Sequence, residues 1–77
     1  MEFTVAQLCL LRCLLKDGIS CDLMEIILNR CGANGDDLNL LKKAKHVRKS
    51  IRQSSSRFVL TKEGRREYAK QKHGRYF

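Results

Sequence analysis

The chain has no proline and no tryptophan, and aromatic residues make up only 6 % of it. No apolar stretch approaches the roughly 20 residues needed to cross a bilayer as a helix, which excludes a helical membrane anchor within this sequence. The opening Met1-Glu2-Phe3-Thr4 carries an acid where a secretory leader carries Lys or Arg, and no small-residue cleavage site follows the first apolar stretch. The expected compartment is therefore cytoplasmic, or nuclear in a eukaryotic source. Also missing are a nucleophile elbow, a glycine-rich phosphate loop and a carboxylate pair, and neither His46 nor His73 has a carboxylate at a spacing that would orient it. No enzymatic activity is expected. There is no Cys-x-x-Cys pair and no internal repeat. Acidic residues are nearly absent from the second half.

That last absence is the most informative. Residues 1–41 hold three Lys or Arg against six Asp or Glu, whereas residues 42–77 hold thirteen against two, giving a formal net charge of +8. Such asymmetry suits a half that faces a polyanion, although a basic block can also be a solvated face that serves solubility alone. The 77 residues form one expected domain, with a core at about 4–72 and a tail at 73–77. Its hydrophobic content, 43 %, is enough for a folded chain.

Hydrophobic periodicity predicts a first helix from Thr4 to Lys16, with Thr4 and Gln7 as a capping box and Asp17-Gly18 as its end. Val5, Leu8, Cys9, Leu10, Leu11, Cys13, Leu14 and Leu15 cover most of its circumference. So apolar a helix needs cover on several sides, and a homodimer through this helix is expected. Ile19 and Ser20 read as a short extended link. A second helix opens at Asp22, with Glu25 as its capping partner, and Gly32 stops it; Ala33-Asn34-Gly35 is a turn. Asp36 or Asp37 caps a third helix that runs to about His46. Leu40, Leu41, Ala44 and Val47 form its packing stripe, Leu38 lies off that stripe, and Asn39, Lys42, Lys43 and His46 form a basic free side.

At Val47 the period changes from helical to alternating. Val47 to Gln53 and Arg57 to Leu60 read as two strands joined by a Ser54-Ser55-Ser56 turn, with Phe58 and Leu60 inward and arginines outward. Thr61 caps a last helix from Lys62 to about Lys72, thin in apolar content, with Tyr68 and Ala69 to dock it. The fold class is mainly α with a small β-hairpin.

The segment Arg57-Phe58-Val59-Leu60-Thr61-Lys62-Glu63-Gly64-Arg65-Arg66 resembles the end of the wing and the start of the last helix in MarR- and PadR-type regulators. Leu60, Thr61, Gly64 and Arg65 carry the likeness. Together with the element order it implies a winged helix-turn-helix domain that binds double-stranded DNA as a small transcriptional regulator. In that fold the third helix enters the major groove and the wing touches backbone or minor groove. The resemblance places Asn39, Lys42, Lys43 and His46 toward the groove and Arg48, Lys49, Arg52 and Arg57 on the wing. Asp36 and Asp37, at the start of the third helix, oppose phosphate but favour the helix dipole. They leave open a second possibility, a winged-helix module that binds an acidic protein partner such as a polymerase subunit.

Cys9, Cys13, Cys21 and Cys31 all lie in or beside apolar runs, where free cysteine behaves as a small hydrophobe. Cys9 and Cys13, one helical turn apart, could both reach a metal, but the spacing lacks the tight knuckle of structural zinc sites. All four are expected to be reduced, with no metal and no cofactor.

Overall fold

The structure is a computed structural model that describes residues 2–15, 18–52 and 55–72, with Arg52 described by its backbone alone. The expected ends of the first helix (Lys16, Asp17), the hairpin tip (Gln53, Ser54) and the tail at 73–77 lie outside the described residues. The element order is α1 (Val5–Leu14), β1 (Ile19–Ser20), a 3-10 turn (Cys21–Leu23), α2 (Met24–Cys31), α3 (Gly35–Lys43), β2 (Val47–Arg52), β3 (Ser55–Leu60) and α4 (Lys62–Lys72). The result is mainly helical, with one three-stranded antiparallel sheet in the order β1-β3-β2. No helix is long and apolar enough to cross a membrane, among the described residues.

The starts of α1 and α3 are each held by a capping box, and that of α4 by Thr61. Thr4 Oγ1 accepts from Gln7 N at 3.1 Å and Gln7 Oε1 accepts from Thr4 N at 3.0 Å, the reciprocal pair expected from the sequence. The cap of α3 is Asn34 rather than either aspartate. Asn34 Oδ1 accepts from Asp37 N at 3.0 Å, and Asp37 Oδ2 accepts from Asn34 N at 3.1 Å. Gly35 is then the first helical residue, not part of a separate turn. Asp22 does not cap α2. It lies in the 3-10 turn, and α2 begins at Met24 with no side-chain cap. Gly32 does end α2, at φ 71° in the left-handed region where only glycine is unstrained.

The core is built from Leu8, Leu10, Leu11 and Leu14 of α1, Met24 of α2, Leu38 and Leu41 of α3, Val47, Phe58 and Leu60 of the sheet, and Tyr68 of α4. All four α1 leucines are fully buried inside the one chain, beneath α2, α4 and β3. Cover from a second copy is therefore not required for this helix, and its Val5 is 65 % exposed. Phe3, just before α1, is also in the core. Its ring meets His46 edge-on at 5.2 Å, and its backbone N donates to Gln71 Oε1 at 2.6 Å. Phe3 is thus pinned between α4 and the turn that follows α3.

The α3 stripe differs from the periodicity argument. Leu38 and Leu41 are buried, while Leu40 is 50 % exposed. The helix ends at Lys43 with Ala44 as its C-cap, and Lys45 takes φ 63°, so Val47 belongs to β2 and not to the helix. Counting Val47 and Ala44 as helical drew the apparent stripe toward Leu40. With both removed, the remaining leucine pair at i and i+3 sets the inward face.

Candidate functional site

The basic residues concentrate on α3 and on the hairpin formed by β2 and β3. On α3, Asn39, Lys42 and Lys43 are exposed. With Asp36 and Leu40 they line an open depression along the outer side of the helix. Lys42 also reaches the sheet: its Nζ stands 5.5 Å from the centroid of the Phe58 ring, a cation–π approach that fixes where the charge sits.

The hairpin register sorts the remaining residues. Val47 pairs with Leu60, Lys49 with Phe58 and Ile51 with Ser56, so these six share one face of the sheet. Arg48 pairs with Val59, Ser50 with Arg57 and Arg52 with Ser55, on the other face. The first face is core near Val47 and becomes solvent-exposed toward the tip, where Ile51 is 73 % exposed. Lys49 and Lys42 are therefore neighbours of the same ring, one from the strand paired with it and one from α3. Arg48 and Arg57, both exposed, stand together on the opposite face. The expected set is thus brought together as two groups. One is Asn39, Lys42, Lys43 and Lys49; the other is Arg48 and Arg57, with the backbone of Arg52 beside them.

His46 departs from expectation. It lies in the turn after α3, not on the helix, and is half-buried. Its Nδ1 is buried with no hydrogen-bond partner among the described residues, and its ring packs against Phe3. Its backbone N donates to Leu41 O and its carbonyl accepts from Thr61 N at 3.0 Å. These contacts make it a packing residue rather than part of the free basic side.

The two aspartates also separate. Asp36 is exposed. Asp37 accepts from Gln7 Nε2 at 3.1 Å through Oδ1 while Oδ2 completes the α3 capping box. Gln7 is itself only 3 % exposed. The Asp37 carboxylate is engaged on both oxygens and serves as a joint between the starts of α1 and α3.

Cys21 and Cys31 pack against the hydrophobic core, as expected of small hydrophobes, but none of the four cysteines is fully buried. Cys9, Cys21 and Cys31 are half-buried and Cys13 is exposed. Cys21 Sγ receives a hydrogen bond from Ser56 Oγ at 3.3 Å. The sulfurs of Cys9, Cys13 and Cys31 lie within 4.8 Å of one another. Burial raises the Cys31 thiol well above its ordinary pKa, and the neighbouring Cys9 and Cys13 add to the shift. Spacing along the chain hid this cluster, because one ligand pair is set by the helical i, i+4 repeat and the third comes from another helix. Comparison with family models, with curated proteins and with solved structures gives no match.

Proposed function

We propose that the chain is a winged helix-turn-helix domain that binds double-stranded DNA as a small transcriptional regulator. The supporting order is helix, short strand, helix, helix, two-stranded hairpin, helix, with the short strand closing the sheet against the hairpin. The observation that carries the reading is the shared edge of α3 and the hairpin. There Asn39, Lys42, Lys43 and Lys49 stand exposed, with Lys42 reaching the ring of Phe58, the register partner of Lys49. Asn suits an adenine edge and Lys a guanine edge or a phosphate. In this reading α3 enters the major groove, and Arg48, Arg52 and Arg57 on the hairpin approach backbone or minor groove. Asp37 is half-buried and held at the α1–α3 joint by hydrogen bonds from neutral donors, so it keeps its charge there.

One observation favours a second reading. Leu40 is 50 % exposed in the middle of the α3 surface, with exposed Asp36 one turn before it. A large apolar residue flanked by both charge signs suits a protein partner, and the surrounding lysines suit an acidic one. Fluorescence anisotropy with a random duplex, at two salt concentrations, separates the readings. DNA binding predicts a Kd of about 10⁻⁴–10⁻⁶ M for a random duplex near physiological salt, tightening steeply as salt is lowered. Failure to bind at low salt overturns the DNA reading in favour of the protein partner.

A further inference from the structure

Cys9 and Cys13 lie one helical turn apart on α1, so both sulfurs leave the same side of the helix. Cys31 is the last residue of α2. Where these helices meet, Cys13 Sγ and Cys31 Sγ are 3.9 Å apart, and Cys9 Sγ completes a triangle with no side longer than 4.8 Å. Among the described residues no other cysteine, histidine or carboxylate joins the group.

We propose that Cys9, Cys13 and Cys31 form a zinc(II) site of three thiolates whose fourth position is open to solvent. A tetrahedral zinc with Zn–S bonds of about 2.3 Å holds its sulfurs about 3.8 Å apart. The Cys13–Cys31 pair already has that spacing, and a small rotation of Cys9 brings in the third. A donor set made only of sulfur selects a thiophilic ion and rejects magnesium and calcium, which require oxygen. Cys13 is exposed, so an ion enters from solvent without opening the core. On binding, the three thiols release their protons to solvent, zinc takes three thiolates and water fills the fourth position, leaving a net charge of −1 on the centre. The ion thereby links α1 to α2 independently of any nucleic acid, and the site does not depend on the DNA-binding reading.

The test is cobalt(II) titration of the reduced full-length chain. The expected result is a thiolate-to-cobalt charge-transfer band in the near ultraviolet, with visible bands of tetrahedral intensity. One equivalent of zinc(II) should abolish both and raise the melting temperature. Cys13→Ser, at an exposed position, should keep the circular dichroism of the parent and weaken zinc binding by at least about tenfold, since even loss of a group that only supports a ligand costs about 10–100-fold. Cys31→Ser should do the same. Cys21→Ser, whose sulfur lies outside the cluster, should bind as the parent does. Absence of the charge-transfer band overturns the proposal, as does a Cys13→Ser variant that binds cobalt and zinc as tightly as the parent with an undiminished band, or a band that disappears in Cys21→Ser.

Discussion

Gly64 is the residue on which the packing of α4 turns. A Cβ at this position would stand 2.1 Å from the carbonyl oxygen of His46 and 3.0 Å from its carbonyl carbon. Both are backbone atoms in a turn already fixed by two hydrogen bonds, Thr61 N to His46 O at 3.0 Å and Thr61 Oγ1 to Lys45 O at 2.6 Å. No flexible side chain is available to yield. Gly64→Ala should therefore push α4 away from the turn and cost about 1–3 kcal/mol, the range for overpacking a tight site. Urea denaturation reads this directly, and a variant as stable as the parent would mean that the contact relaxes freely. The neighbouring Lys45 tests the opposite sign. Its φ of 63° is strained for any residue with a side chain. Lys45→Gly should leave stability unchanged or raise it, by up to about 1 kcal/mol once the greater freedom of the unfolded chain is offset. Gly64 was legible in the sequence as one of the residues that carry the resemblance to the wing and last helix of MarR- and PadR-type regulators. The strain at Lys45 was not, because nothing in its side chain marks a left-handed conformation.

At the scale of elements, the joint between α1 and α3 is made by Gln7 and Asp37. Gln7 closes the α1 capping box with Oε1 and donates to Asp37 with Nε2, while Asp37 closes the capping box of α3. Each side chain caps its own helix and meets the other, 30 positions away in the chain. Removing either should cost about 1–2 kcal/mol through the lost cap and the partner left unsatisfied. Because the residues share a bond, the double variant Gln7→Ala/Asp37→Ala should cost less than the two single changes together. Additive losses in a double-mutant cycle would show that the 3.1 Å contact contributes nothing. The same elements show what the sequence could disclose. The α1 capping box, the change of period at Val47, the left-handed Gly32 and the Thr61 cap are all local patterns, and the structure has them where periodicity placed them. The inward face of α3 was misread because a stripe depends on where the helix ends, and that end is set by the turn at Lys45 rather than by the leucines. Phe3 and the cysteine triangle were missed for a related reason. Both depend on contacts between elements distant in the chain, for which spacing carries no signal.

At the scale of the whole molecule, the cations form two groups, one on α3 and the adjoining face of the hairpin and one on the hairpin's other face. Lys42, Lys43 and Lys49 stand beside the outer surface of α3, and Arg48 and Arg57 stand on the far face of the sheet. For duplex DNA this division makes a quantitative prediction. Each phosphate neutralised contributes about 0.9 to the slope of log K against log salt. If Lys42, Lys43, Arg48, Lys49, Arg52 and Arg57 all made such contacts, the slope would reach about −5 per chain. Arg48→Ala and Arg57→Ala together should flatten the slope by about two units and weaken all sequences alike, as loss of phosphate contacts requires. Asn39→Ala should act differently. It should leave the slope unchanged and cost about 1–3 kcal/mol only on a preferred site, as loss of a base contact requires. All three side chains are exposed, so the melting temperature should not move in either variant. Leu40→Ser supplies the opposing control, since a half-exposed apolar residue contributes little to phosphate attraction but gains from burial against a protein partner. Should Leu40→Ser abolish a partner interaction while the arginine pair leaves DNA affinity and its salt slope untouched, the basic surface serves a protein and not a duplex.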